Sequence, residues 1–366
     1  MLAVFADEAT IRHALGFEAA LAHAEAAEGL IAEASAVMIA QICRTIVIDP
    51  NALAGEAARA GTLAIPIVRR LRDAAGSAAS DIHKGATSQD LADTVLMLQA
   101  VAGANLLAAD LARTTAALYG LAERHAATPA IGRTLLQDAL PVGFGLRLAQ
   151  TAAGIDNAAL RLTGEIAANA KLQFGGATGT RAGLDGRGEA IAGRVAATLG
   201  LAPGVPWHAR RVGIAAIAAA LGIVVGALGK FARDVSLLAQ NTVGEAHEPL
   251  VEGRGGSSAM THKRNPTGCQ VALSAALRAP GLVAGIFAGL PAEAERGLGG
   301  WQAEGPALAD LFILAAGAAY AMADIAEGLE IDEDAIARNL VAADIGRDIG
   351  ESEAIVAAIL SHHRRG

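Results

Sequence analysis

The sequence predicts an all-α fold built as a bundle of long helices. Three observations carry that expectation: apolar residues recur at steps of three and four over long stretches, alternating valine-rich strand patterns are weak throughout, and the interior must be assembled from small side chains. Of 366 residues 53% are hydrophobic but only 3% aromatic, and glycine numbers 43 against 11 prolines. An interior of Ala, Gly, Leu, Ile and Val lets helices approach closely. Charged residues reach 18%, below the quarter or so usual for a soluble chain, which leaves much helix surface suited to another subunit.

The elements follow in order. The amino terminus has no basic stretch ahead of an apolar run, so no secretory signal is expected and the cytoplasm is the default location. Asp7 is placed to cap a first helix through the region 13–34. Asp49-Pro50 and Ile65-Pro66 mark helix starts or breaks. Residues 81–89 read as a loop, after which Thr87, Ser88 or Asp90 can cap a helix carrying Val95, Leu98, Ala102 and Leu106 on one side as far as His125. The segment 129–145 reads as an irregular break, followed by a helix over roughly 146–170. The run 175–183 is a glycine-rich loop.

Residues 207–211 lead into a long helix that ends near Asn241. Its first part, 212–229, is uncharged for 18 residues, the lower limit for a bilayer span. The apolar seam Ile214, Ile217, Leu221, Val224, Leu228, Phe231, Val235, Leu238 nevertheless continues straight through Lys230, Arg233 and Asp234, as a bundle helix does and a membrane span does not. No membrane association is expected. A second glycine-rich loop spans 249–266, two apolar helices lie near 271–290 and 308–329, and the terminal SHHRRG is expected to fray. The resulting organisation is an N-terminal helical domain over 1–92, a central long-helix domain over 93–350, and a short C-terminal tail over 351–366.

Several function classes are excluded by composition. A formal charge of -8 and an isoelectric point near 5.6 offer no broad basic footprint for nucleic acid. Cys43 and Cys269 fit neither a disulfide framework nor a metal cluster and read as small buried residues. His247 lies near Glu245 and Glu248 without the HExxH spacing, so no metal is expected. Gly175, Gly176 and Gly179 do not form GxGxxG after a strand, which argues against a dinucleotide cofactor. His208, beside Trp207 and Arg210, reads either as a substrate contact or, more economically, as a cap on a surface helix.

Three stretches carry chemistry. The first, Gly255-Gly256-Ser257-Ser258-Ala259-Met260-Thr261-His262-Lys263-Arg264-Asn265-Pro266, combines mobile glycines with two hydroxyls, a cation and an amide. That set can bind a carboxylate and stabilise charge developing beside it; it can also serve as a polar cap before the next helix. A carbon acid next to a carboxylate is weak, so proton transfer needs a base together with charge stabilisation. Ser257 is the sharper choice for that base, with Lys263 and backbone amides lowering the cost of its ionisation. The second stretch runs from Asp81 to Asp90: His83 can exchange a proton, and Thr87 and Ser88 either hold carboxylate oxygens or cap the helix. The third begins at Gly132, where Thr134 and Gln137 offer neutral hydrogen bonds and Arg133 either meets an acid or orients the loop.

GSSAMTHKRNP, from Gly256 to Pro266, resembles the fumarase/aspartase superfamily signature GSSxMPxKxNP, with Thr261 in place of the usual proline. HKGATSQDLADT, starting at His83, and GRTLLQDALPVGFG, starting at Gly132, are similar to that superfamily's other two signature regions in the same order. Within it, HKGATSQD, KLQFGGATGT and the pair GSSAM and KRNPTGC most resemble the branch of bacterial 3-carboxy-cis,cis-muconate cycloisomerases. The resemblance implies a fumarase/aspartase-like long helical bundle with a shortened C-terminal region, forming a homotetramer whose active sites are shared among three subunits. It implies catalysis by Ser257 and binding of a polycarboxylate by Thr87, Ser88, Lys263 and Asn265, with no metal or organic cofactor; the reading of the stretches themselves adds His83 and Lys263 to the expected catalytic set and Arg133, Thr134, Gln137 and Ser258 to the expected binding set. Leu135 stands where many members resemble one another in carrying histidine, and Gln270 stands where that histidine's carboxylate partner falls. The missing pair argues against adenylosuccinate-type C–N cleavage and for a cyclisation, whose leaving group is a carboxylate that needs far less protonation. A helical assembly protein without activity is the reading from another class, and turnover separates the two.

Overall fold

The structure, a computed structural model, describes residues 1–256, 259–260 and 263–365. Among these residues twelve α-helices account for most of the chain: α1 (Asp7–Ala27), α2 (Glu33–Thr45), α3 (Pro50–Ala60), α4 (Ala64–Ala75), α5 (Ser88–Arg124), α6 (Phe144–Asn169), α7 (Gly188–Leu199), α8 (Val212–Leu238), α9 (Thr267–Ala288), α10 (Gly300–Glu327), α11 (Glu333–Ala343) and α12 (Ser352–His363). Two small antiparallel pairs complete the fold, β1 (Pro129–Thr134) with β2 (Gln137–Gly143) and β3 (Ala246–His247) with β4 (Glu330–Ile331). The all-α class stands.

The chain divides into two compact units. The first comprises Met1–Ala104, Gly164–Ala218 and Ala284–Asp310; the second comprises Asn105–Thr163, Ala219–Val283 and Leu311–Gly366. In the first unit one cluster of buried side chains joins Phe17 and Leu21 of α1, Ile39 of α2, Ile67 and Leu71 of α4, Leu91 and Val95 of α5 and Ile191 of α7 with Phe174. A second interior feature of this unit is ionic. Arg211 is buried, donates to both oxygens of Asp93 at 2.7 and 2.8 Å and to Glu304 at 3.0 Å, and lies 4.8 Å over the Trp207 ring. Gln89 and Gln173 each donate to Asp93 at 3.1 Å. A buried charge is tolerable only when its bonding capacity is filled, and here the carboxylates flanking Arg211 raise its pKa further against the burial that opposes them.

The local signals read from the sequence act largely as expected. Asp49 accepts from the amides of Asn51 and Ala52 ahead of Pro50, the capping arrangement of α3. Every residue of the seam from Ile214 to Leu238 is buried, so the apolar face of α8 is covered by protein. By length and composition alone α5, α8, α9 and α10 are each long and apolar enough to cross a membrane.

Four local expectations change. Asp7 lies inside the first turn of α1 rather than capping it, and that helix ends at Ala27, where Gly29 turns the chain at φ 69. The segment 129–145 is a β-hairpin, not an irregular break. Its turn is made by Leu135 and Leu136, both at positive φ (53 and 62), between the paired residues Thr134 and Gln137. Glycine or asparagine normally marks such a turn, and neither is present to announce it. Last, the expected terminal tail begins as a helix: α12 runs to His363, whose Nδ1 lies 3.0 Å from Asp156 and whose ring stacks 4.1 Å from Tyr119.

Candidate active site

In the first unit, the turn leading into α5 is held by a single buried carboxylate. Asp90 Oδ2 accepts the Thr87 amide at 3.0 Å and the Gly176 amide at 2.9 Å, while Oδ1 accepts the Gly175 amide at 2.9 Å and pairs with His208 Nε2 at 2.7 Å. Asp90 sits three residues into the helix after Thr87, the spacing at which an acidic side chain reaches back to the cap residue's amide. Gly176 has φ 71, and a Cβ there would come 2.7 Å from the Gly85 carbonyl oxygen. Only glycine permits this approach of the 175–183 loop to the 83–87 turn.

With the capping work done by Asp90, the Thr87 hydroxyl is free for another role. It accepts from Arg296 Nη1 at 2.9 Å, and the same guanidinium donates through Nη2 to the carbonyls of Gly176 at 3.3 Å and Ala177 at 2.9 Å. The Nε of Arg296 is buried and has no hydrogen-bond partner. The Arg296 guanidinium and the Thr87 hydroxyl thus meet at the start of the 37-residue α5, beside the Asp90 carboxylate that already takes the Thr87 amide; the donors left over in this corner can hold a carboxylate. Ser88, half-buried at the first position of α5, belongs to the same corner. Sequence reasoning missed Arg296 because nothing in GLPAEAERGLGG marks it, and its partner Thr87 lies 209 positions away.

His83 shares this turn. Its ring is mostly buried at 12% exposure, and Nδ1 lies 2.6 Å from Oε1 of buried Glu18. Burial disfavours the imidazolium, but the Glu18 charge and hydrogen bond outweigh it and raise the His83 pKa above the ordinary histidine value. The reading of His208 as a cap on a surface helix is corrected, since its side chain is buried against Asp90.

The second unit carries the other two stretches. Arg133, in β1, donates to both oxygens of buried Glu245 at 2.9 and 2.7 Å, and Asn339 donates to Glu245 at 2.9 Å. Those bonds raise the pKa of Arg133 against the burial that opposes them. Of the two roles open to Arg133, meeting an acid or orienting the loop, this bidentate grip joins both: the acid it meets anchors the hairpin. Thr134 and Gln137 stand exposed on either side of the turn, with Leu135 96% exposed at its tip.

Nearby in the same unit, Glu248 accepts the amides of Gly268 at 3.1 Å and Cys269 at 2.7 Å, closing the start of α9. The base of the loop before α9 is pinned by Asn265, whose amide donates to Gly255 at 2.8 Å and whose side-chain Nδ2 donates to Gly256 at 3.3 Å. Lys263 is exposed and donates its backbone N–H to Met260 at 3.1 Å. Ser257 and Ser258 lie outside the described residues. Among the described residues no three His, Cys, Asp or Glu side chains converge as metal ligands. Cys43 and Cys269 are buried and free, and burial pushes the Cys43 thiol up to about 12 and that of Cys269 up as well; neither thiol supplies a thiolate at neutral pH.

The first unit thus carries an arginine–threonine corner and a carboxylate-bound histidine; the second carries a hairpin and a pinned glycine loop. A family model described as lyase matches residues 1–281. The chain is a member of the fumarase/aspartase superfamily. The 3-carboxy-cis,cis-muconate cycloisomerase of Pseudomonas aeruginosa is 46% identical over 345 residues, covering 93% of this chain and 75% of that relative. The enzyme of the same name from Bradyrhizobium diazoefficiens is also 46% identical over 345 residues, covering 93% and 76%. Among solved structures, the 3-carboxy-cis,cis-muconate lactonizing enzyme of Pseudomonas putida superposes with a TM-score of 0.91 at 35% identity, covering 99% of this chain and 96% of that one. Fold and superfamily therefore agree with the three sequence stretches from which they were expected.

Proposed function

We propose that this protein is a 3-carboxy-cis,cis-muconate cycloisomerase, a cofactor-independent intramolecular lyase that interconverts 3-carboxy-cis,cis-muconate and 4-carboxymuconolactone in protocatechuate catabolism. The observation that carries the proposal is the 46% identity to a cycloisomerase across 93% of the chain, joined to the absence of a histidine at Leu135 and of a carboxylate at Gln270. In the lactone-forming direction a substrate carboxylate oxygen attacks the conjugated double bond. The C–O bond forms, the π electrons take a proton on the adjacent carbon from the Ser257 hydroxyl, and the resulting alkoxide is reprotonated. In reverse, Ser257 removes the carbon proton and the lactone oxygen leaves as a carboxylate.

The supporting roles follow from charge. Lys263 and Asn265 stabilise the carboxylate next to the carbon being protonated, and the Ser258 hydroxyl supports the same loop. Thr87 and Ser88, with Arg296 behind them, hold a second carboxylate, while Thr134 and Gln137 contribute neutral hydrogen bonds from a hairpin anchored by Arg133. His83 completes proton exchange.

The enzyme works as a soluble, cytoplasmic homotetramer with active sites shared among three subunits. Uncovered apolar side chains in the second unit support that assembly: Leu160, Leu277 and Tyr320 are exposed, Leu277 at 81%. The test is a direct comparison of purified protein on 3-carboxy-cis,cis-muconate, adenylosuccinate, argininosuccinate and fumarate with NMR identification of products. Conversion of carboxymuconate to the muconolactone supports the proposal. Cleavage of adenylosuccinate without cyclisation assigns the C–N lyase alternative instead, and no turnover on any of them points to a helical assembly protein.

A further inference from the structure

His83 is held in an unusual way. Its backbone adopts φ 60, a left-handed conformation that costs on the order of 1 kcal/mol for a residue with a Cβ and that the 83–90 turn must enforce. The conformation places its ring against α1, where Glu18 accepts from, or shares a proton with, Nδ1 at 2.6 Å. Glu18 is 1% exposed, and its second oxygen, Oε2, has no hydrogen-bond partner. Seven residues further along α1, Glu25 is 0% exposed and both of its oxygens lack a partner. Three orphaned carboxylate oxygens in one helix interior are too many for packing alone to justify, because each forfeits its hydration without return.

The charges acting on this cluster come from several elements. Glu18 and Glu25 lie on α1, Cys43 on α2, Arg72 on α4, Asp81 and Lys84 flank His83 in the turn, and Asp90 lies on α5. Lys84 pairs with Asp81 at 3.7 Å. Burial, reinforced by the Glu18 charge and opposed by Lys84, pushes Glu25 up to about 8. At neutral pH Glu25 therefore carries a proton.

We propose that Glu18 is a positioning residue for the reaction: its contact at 2.6 Å fixes His83 as the Nδ1–H tautomer and leaves Nε2 as the ring nitrogen that exchanges protons with the site. Free histidine prefers the opposite, Nε2–H tautomer, so the Glu18 contact reverses an intrinsic preference. A carboxylate that orients an imidazole in this way is a general device for setting which nitrogen works. Its catalytic consequence rests on the cycloisomerase reading and on the part taken there by His83; its structural content does not.

The experiment is solid-state NMR of the full-length protein labelled with [15N]histidine, with the His83 signals identified by their loss in His83→Asn, recorded from pH 5.5 to 9. In the wild type Nδ1 stays protonated throughout and only Nε2 titrates. Glu18→Met, which removes both charge and acceptor, turns the neutral ring to the Nε2–H form and lowers its titration midpoint. Glu18→Gln keeps an acceptor, so it retains the Nδ1–H tautomer but also lowers the midpoint, and it provides the reading if the Met variant fails to fold. Both variants lose about 10-fold or more in kcat with KM near wild type, and the acidic limb of the pH profile shifts with the His83 midpoint. Unchanged tautomer and midpoint in both variants would overturn the proposal. A changed midpoint with unchanged kcat would uphold the Glu18–His83 coupling and remove His83 from the proposed chemistry.

Discussion

Replacing Glu25 by Gln is expected to stabilise the protein, and to do so only above acidic pH. In the folded chain Glu25 titrates at about 8, against 4.5 for the unperturbed side chain, because it is buried beside the Glu18 charge. A group whose folded pKa is raised holds its proton after the unfolded chain has released it. Its contribution to stability is therefore fully present below pH 4.5 and is lost progressively as pH rises towards 8. Each pH unit in that window costs about 1.4 kcal/mol, so the whole interval amounts to on the order of 3–5 kcal/mol, a large fraction of a typical folding free energy. Glutamine has the shape of the protonated acid and cannot ionise. Denaturant unfolding of both proteins at pH 5, 6, 7 and 8 reads the effect: the two are nearly equally stable at pH 5, and the variant gains steadily until pH 8. Parallel stability profiles would refute the reasoning, since they would mean that Glu25 ionises as easily in the folded chain as in the unfolded one.

Three further outcomes follow from the site. Arg296→Ala removes the donor to Thr87 and to the carbonyls of Gly176 and Ala177, and is expected to raise KM about 10-fold or more while leaving the fold intact; steady-state kinetics with wild-type values would detach Arg296 from substrate binding. Lys263→Met is expected to weaken kcat/KM by about 100-fold through lost charge stabilisation, and unchanged kinetics would disprove that role. Light scattering at working concentration is expected to give the mass of four chains, and a stable, active monomer would reject shared active sites.

What the sequence disclosed and what it concealed divide along physical lines. The seam from Ile214 to Leu238 was legible because a helix repeats its buried face every three or four residues, and the Asp49-Pro50 cap because its bonds are made within three residues of the cap. The 83–90 and 132–137 stretches stood out as clusters of polar residues; the structure gives Asp90 and Arg133 in them the work of holding the turn and the hairpin. The hairpin was concealed because two leucines, poor residues for positive φ, form its turn. Arg296, the His208–Asp90 pair and the Glu18–His83 pair were concealed for a common reason: their partners lie 209, 118 and 65 positions away, and nothing local distinguishes a buried polar side chain from a solvated one.

The most direct test of the account is the reaction in D2O, followed by NMR, with wild-type and Ser257→Ala protein of matched fold and assembly. The wild type is expected to turn 3-carboxy-cis,cis-muconate into 4-carboxymuconolactone carrying deuterium at the newly protonated carbon, and the variant to do so at least ~100-fold more slowly. Lactone formed at the wild-type rate by the well-folded variant would contradict the assignment of that proton to Ser257.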